Sequence, residues 1–372
     1  MTRPPADVGT PVEEIDTPAL VIDLGPYERN LDRMARALAG TPVRLRGHAK
    51  THKCPVVALH QIARGAVGAC CQKVSEAEAM LYGGVRNILV SNQIVGARKI
   101  ARLVGLAKQA APGDVAVCVD DPANARDLDE AARAAGVRLP VLVEINIGMN
   151  RCGVEPGEPA LALARHVAAQ RGLRFAGLQA YHGRAQHIVE LAKRRETMEV
   201  AIGHVRTTVD LLKRHGLGCE TVSGAGTGTY RFETESGVYT EIQAGSYPFM
   251  DADYKRVQGF PSEFENALFV LATVISRAAP DRAVVDAGLK ALAVDSGLPV
   301  VRGRSDIEVQ RVSDEHGLLH LGDPALPLRI GDRLWLIPGH CDPTINLYDW
   351  YVAVRGGRVE ALWPITARGA VL

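Results

Sequence analysis

The first group to attract chemistry is Lys50, in the run Arg46-Gly47-His48-Ala49-Lys50-Thr51-His52-Lys53 just past a β-rich segment. A lysine at a strand end can hold an aldehyde as a Schiff base once its amine is neutral, and partial desolvation favours the neutral amine. Extended chain turns alternate side chains to one face, so His48, Lys50 and His52 would share a face while Lys53 points away. On these residues alone, a surface lysine in a basic loop is an equal reading.

Four further groups could act with it. Pro338-Gly339-His340-Cys341-Asp342-Pro343-Thr344 sets a histidine and a carboxylate two residues apart, facing one way in extended chain while Cys341 faces the other. That pair suits a divalent metal completed by water or substrate, Mn²⁺ or Mg²⁺ before a tightly held zinc; taken alone, a capped turn is the default reading. Ser223-Gly224-Ala225-Gly226-Thr227-Gly228-Thr229-Tyr230 is a glycine-rich turn whose backbone N–H groups can converge on an anion, and Gly245-Ser246-Tyr247 follows it. Gln179-Ala180-Tyr181-His182-Gly183, with His187 five residues on, offers His182 either as a general base or as a partner for a backbone carbonyl. Arg151, in Asn150-Arg151-Cys152-Gly153, either binds a carboxylate or a cofactor's phenolate oxygen or is a structural loop arginine.

These groups need a scaffold that brings them to one place. Strand patterns at Val43–Ala49, Ala66–Cys71, Asn87–Val90, Val115–Asp120, Val141–Ile147, Phe175–Tyr181, Glu220–Ser223 and Tyr239–Gly245 alternate with amphipathic stretches such as Ala97–Gln109, Ala123–Ala135 and Glu196–His215. Eight β-then-α repeats predict an α/β fold of the (β/α)8 TIM-barrel kind. A doubly wound sheet is the alternative, but no strand leads into a dinucleotide GxGxxG turn. After about Phe260 the pattern changes to strands at Ala267–Ser276, Ala283–Asp286, Arg333–Ile337, Tyr351–Val354 and Val359–Trp363, joined by turns with hardly any helix. The run Ala19–Asp23 is surplus to the eight and is assigned to this β region. The expected division is therefore a barrel over 24–262 and a mostly β domain made of 1–23 plus 263–372.

Composition restricts the partners. A net charge of +1 over 372 residues gives no reason to expect nucleic acid or an anionic membrane as partner. No apolar run reaches transmembrane length and Met1–Glu14 is too polar for a signal peptide, so a cytoplasmic location is expected. Seven cysteines without CxxC spacing argue against a disulfide framework or a zinc ribbon. Barrel active sites lie at the C-terminal ends of the strands, with phosphate commonly bound after strands seven and eight. Lys50 then ends strand one and the glycine-rich turn follows strand seven, a placement that suggests a phosphorylated aldehyde, pyridoxal 5'-phosphate.

With those positions set, the chain resembles the fold-type III pyridoxal-phosphate enzymes of the alanine racemase superfamily, and within them the metal-activated D-threonine aldolase and D-serine dehydratase family. The resemblance runs through Asp16-Thr17-Pro18-Ala19-Leu20-Val21, His48-Ala49-Lys50, Cys71-Gln72-Lys73-Val74-Ser75-Glu76, Gln179–Gly183, Ser223–Gly228, Asp286-Ala287-Gly288-Leu289-Lys290 and Pro338–Thr344. It implies that Lys50 carries the Schiff base and that Gly224–Gly228 binds phosphate, with Ser223, Gly226, Thr227 and Tyr247 in the cofactor site. It also implies Tyr181 beside the pyridine ring, Gln72 and Arg151 near the phenolate side, and His340 and Asp342 as metal ligands. A homodimer with shared active sites is implied as well.

D-serine dehydratases of this family look like His-x-Cys where this chain has His-x-Asp, which favours aldol cleavage of a small D-β-hydroxy-α-amino acid to glycine and an aldehyde. His182 or a metal-bound water would take the hydroxyl proton. Asp251–Tyr254, Val294–Pro299 and Asn346–Tyr351 look as close to 3-hydroxy-D-aspartate aldolases, whose substrate would need a further cation from Arg184, Lys255 or Arg256. A non-catalytic pyridoxal-phosphate carrier on the same barrel would lack the β domain and its His-x-Asp pair.

Overall fold

The structure is a computed structural model that describes residues 2–372. After strand β1 (Ala19–Asp23) come eight parallel strands that close on themselves. They are β2 (Arg44–His48), β3 (Gly68–Cys71), β4 (Ile88–Gln93), β5 (Val115–Val119), β6 (Leu139–Glu144), β7 (Leu173–Ala180), β8 (Thr221–Gly224) and β9 (Glu241–Ile242). The ring shuts by parallel pairing of β2 with β9, Arg44 opposite Glu241 and Leu45 opposite Ile242.

Side chains fill the ring. Cys70, Leu89, Cys118, Leu142 and Ala176, one from each of β3 to β7, form an apolar layer inside it. Arg46 makes a two-pronged ion pair with Glu241 at 2.7 and 2.8 Å, joining the first and last strands of the ring. The outer helices follow from their apolar spacing. Ala97–Gln109 buries Ile100, Leu103, Val104 and Leu106. Asp121 caps Pro122–Ala135 by accepting the N–H groups of Ala123 and Asn124 at 2.7 and 2.9 Å, and Gly136 ends that helix at φ 70°.

The remaining strands form one mixed sheet. β10 (Leu268–Ala279), β11 (Arg282–Val285), β14 (Gly317–Leu321) and β13 (Ile307–Val312) run to one edge, and β16 (Trp350–Arg355) and β17 (Arg358–Pro364) to the other. β15 (Arg333–Ile337) pairs with β10 and with the short β12 (Val300–Val301). β1 lies in the middle, antiparallel to β10 and parallel to β16.

β12, β13 and β14 are absent from the expected strands. β12 has only two residues, and β13 lies at an edge where half of its side chains face water, so neither presents an apolar run. The expected strand Tyr239–Gly245 shrinks to Glu241–Ile242, because the chain beyond it turns to line the barrel mouth. All seven cysteines are free, and Cys54, Cys70, Cys71, Cys118 and Cys341 are buried.

Candidate active site

A cavity of about 290 Å³ opens where the barrel strands end. Its wall includes Lys50, Gln72, Arg151, Tyr181, Gly226 and Thr227, so six of the expected residues meet in one place. Lys50 comes from the helical turn Ala49–His52 that directly follows β2. The turn breaks the alternation expected there. His48 borders the cavity and its Nδ1 accepts the Lys50 N–H at 3.4 Å. His52 is buried elsewhere with Nδ1 accepting from Cys54 N–H, and Lys53 pairs with buried Glu76 at 3.1 Å.

The lysine is also not the neutral amine expected from desolvation. Its Nζ donates to Asp342 Oδ2 at 2.7 Å, and this carboxylate holds the ammonium well above the usual lysine range. Burial acts to raise the Asp342 carboxyl, but Lys50 and then His340 overcome it and bring it down to about 2. Asp342 belongs to the helix Cys341–Ile345, whose N-cap is His340. The pair is therefore not in extended chain. His340 Nε2 nevertheless faces Asp342 Oδ1 at 4.0 Å, while Cys341 is turned away with Sγ toward the Met250 carbonyl.

The cavity floor is an amide network that sequence patterning left unmarked. Gln179 on β7 and Gln243 beyond β9 exchange hydrogen bonds at 2.7 and 3.2 Å, and Gln243 also donates to Ser223 Oγ at 2.9 Å. Ser91 and Tyr254 complete the wall, with the His187 ring beside Tyr254 at 5.2 Å and its Nδ1 on Asp253 at 2.5 Å. Burial drives the His48 imidazole down to about 3, so it stands neutral against the ammonium of Lys50.

The glycine-rich turn divides into two parts. Ala225 takes φ 66°, which folds the stretch Ala225–Thr227 against the cavity, and the Thr227 hydroxyl is buried with no hydrogen-bond partner. Gly228 instead gives its N–H to Gln186 Oε1 at 3.0 Å, and a Cβ at Gly224 would lie 1.9 Å from the Ala180 carbonyl. Ser223, Gly224 and Gly228 thus support the wall without bordering the cavity.

Two expected residues lie elsewhere. Tyr247 follows Ser246, which borders the cavity, but turns outward; its hydroxyl accepts from Gln61 at 3.2 Å beside a separate cavity. His182 is buried outside the wall, with Nδ1 accepting the Ala185 N–H at 3.4 Å and Nε2 against Gly148. Arg184, Lys255 and Arg256 do not border the cavity either; Arg256 pairs with Asp253, and Lys255 donates to the Phe264 carbonyl at 2.8 Å.

Both expected groups fit these residues. Thr227 offers an unpaired buried hydroxyl beside the glycine turn, and Lys50 enters the same cavity, as a phosphorylated aldehyde requires. Asp342 Oδ1 is likewise buried without a partner and faces an imidazole nitrogen, which suits a shared cation. Among the described residues no three His, Cys, Asp or Glu side chains converge as a metal cluster.

Comparison with known proteins gives the family and the fold. The model of the alanine racemase N-terminal domain family matches residues 22–253, and that of the serine dehydratase domain matches 267–354. A 3-hydroxy-D-aspartate aldolase of Paracoccus denitrificans is 48% identical, the match covering 98% of this chain and 95% of that protein. A D-threonine aldolase of an Arthrobacter species is 46% identical over 98% of this chain and 96% of its own. The crystal structure of D-threonine aldolase from Filomicrobium marinum superposes with a TM-score of 0.97 at 51% identity, covering all of both chains. The chain belongs to the alanine racemase-like family of barrel proteins, in the branch that joins the barrel to a serine dehydratase-type β domain and includes these aldolases.

Proposed function

We propose that the protein is a carbon–carbon lyase of the D-threonine aldolase type, cleaving small D-β-hydroxy-α-amino acids to glycine and an aldehyde with pyridoxal 5'-phosphate and a divalent metal, Mn²⁺ or Mg²⁺. The contact of Lys50 with Asp342 at 2.7 Å carries this reading, because the amine that would hold the aldehyde lies beside one of the two residues that would hold the metal. When bound, the cofactor supplies an electron sink at the substrate's Cα and the metal a Lewis acid at its β-hydroxyl.

The chain's own residues supply the rest. Lys50 would hold the aldehyde, while Thr227 and the Ala225–Gly226 backbone would bind the phosphate. Arg151, whose guanidinium stands 5.7 Å over the Tyr181 ring, orients that ring and presents a cation to the cavity. His340 and Asp342 would hold the metal, and Asp342 also keeps a proton at Lys50 Nζ. Cys341 points away from this pair, which speaks for aldol cleavage over the dehydratase reaction expected of His-x-Cys.

A second substrate, 3-hydroxy-D-aspartate, is favoured by Arg151, the cation besides Lys50 that borders the cavity and could receive a distal carboxylate. The reading includes a homodimer, as the resemblance implies, in the cytoplasm; Leu289, Leu298 and Val300 are exposed in the β domain, and no helix among the described residues is long and apolar enough to cross a membrane.

The test is product analysis of the purified protein with pyridoxal phosphate and Mn²⁺, on D-threonine and 3-hydroxy-D-aspartate separately, with and without EDTA. Glycine with acetaldehyde or glyoxylate, lost on chelation, is the expected result and ranks the substrates. Ammonia with a 2-oxo acid would replace the aldolase by a dehydratase.

A further inference from the structure

The ring of His340 is held from behind. Its Nδ1 lies 2.7 Å from Asp295 Oδ2, and Ser296 Oγ contacts the same nitrogen at 3.4 Å and the same carboxylate oxygen at 3.3 Å. A carboxylate only accepts hydrogen bonds, so the Nδ1 position carries the proton, and in the neutral ring that leaves the lone pair on Nε2. That free nitrogen is the one facing the unpartnered Oδ1 of Asp342 at 4.0 Å. Since no third carboxylate or imidazole converges on this point among the described residues, Asp295 stands behind the ring and not beside Asp342.

The backbone is built to deliver it. Gly339 approaches the 295–297 turn so closely that a Cβ there would lie 2.0 Å from the Gly297 carbonyl. Gly297 itself takes φ 118°, and its N–H closes the turn on the Val294 carbonyl at 3.2 Å. Just upstream, the Ala293 N–H donates to Thr344 Oγ1, whose hydroxyl donates to the His340 carbonyl at 2.8 Å. The turn bearing Asp295 and the helix bearing Asp342 are thus fastened to each other on both sides of His340.

We infer that Asp295 is a positioning residue for His340: it fixes the Nδ1–H tautomer and the ring plane so that Nε2 meets Asp342, and thereby sets the site's affinity for a divalent cation. Carboxylate, imidazole and metal in line is an arrangement in which loss of the carboxylate costs 10–100-fold in affinity. The inference rests on the reading of His340 and Asp342 as metal ligands. Asp295 is 53% exposed, so its pair with His340 adds little to fold stability, and its effect is separable from unfolding.

The experiment is a Mn²⁺ titration of the cofactor-loaded protein, followed by the paramagnetic resonance signal of the free aqueous ion. Asp295→Ala is expected to weaken binding about 10–100-fold while the cofactor absorbance and the thermal midpoint hold, with raised Mn²⁺ recovering the lost turnover. Asp295→Asn should fall between the two, because its amide oxygen still accepts from Nδ1 without the charge. Asp295→Ala binding Mn²⁺ within twofold of the parent, while His340→Ala loses it, would overturn the inference and leave the metal site standing. Parent-like binding by His340→Ala would remove the metal site itself, and the inference with it.

Discussion

Two cavities of about 290 Å³ share the stretch Ser246–Tyr247, Ser246 bordering one and Tyr247 the other. The first gathers Lys50, Arg151, Thr227 and the Gln179–Gln243 pair from the ends of several barrel strands. The second lies between Leu31, Met34 and Leu38 of one helix and the barrel residues Val43 and Leu45; of its two arginines, Arg44 and Arg64, the latter is engaged by Asp32 at 2.6 Å. Equal volume with such unequal lining shows that space alone marks nothing. A site is recognised by polar groups that converge with bonding capacity to spare.

The contrast can be broken by removing the groups that create it. Lys50→Ala should abolish the visible cofactor band and lower turnover by at least about 10³-fold; a surviving band with activity would end the distinction between the cavities. Behind the glycine turn, burial pushes the Glu233 carboxyl up to about 7 from 4.5. The folded state then binds the proton more tightly than the unfolded chain. Its stability is full below about pH 4.5 and falls by about 1.4 kcal/mol per unit as pH rises toward 7. Glu233→Gln should flatten that slope in thermal unfolding measured from pH 5 to 8, and an unchanged slope would locate the dependence elsewhere.

Finer changes sharpen the comparison. Thr227→Val removes the unpartnered hydroxyl and should weaken pyridoxal-phosphate binding about 10- to 150-fold in equilibrium titration, since a hydrogen bond to a charged group contributes about 1.5–3 kcal/mol. An unaltered affinity would take this hydroxyl out of the phosphate site. Tyr247→Phe, in the second cavity, should cost only about 1 kcal/mol of stability for its bond to Gln61 and leave KM for substrate and cofactor affinity unmoved. A tenfold loss of cofactor affinity there would restore Tyr247 to the first cavity.

Residues fixed by strand order were the legible ones. Lys50 follows β2 and the glycine turn follows β8, so the β/α rhythm alone sends both to one mouth. His340 and Asp342 were expected together from an extended chain, yet they meet because His340 caps a helix and Asp342 sits in its first turn. Tyr247 and His182 show where the reading fails: one residue of offset in an irregular wall decides which side a ring takes, and no periodicity governs irregular chain. Asp295 lies 45 residues from His340, and the contact exists only through the backbone packing of Gly339 on Gly297, which leaves no spacing signal. The strand β13, half wetted at a sheet edge, was hidden by the same loss of apolar contrast.

The position of β1 has a consequence for how the molecule comes into being. Val21 pairs with Phe269 on one side and Val352 on the other, so both neighbours of this apolar strand are made long after it. At ordinary elongation rates roughly 15–65 s separate its synthesis from that of β16. All eight barrel strands are made before β10, while Ala19–Asp23 waits with both edges open, and one edge stays open until β16, a hazard for association with other nascent chains. The helix bearing Asp342 is translated just before β16, so the newborn barrel holds its lysine well before the partner carboxylate is made.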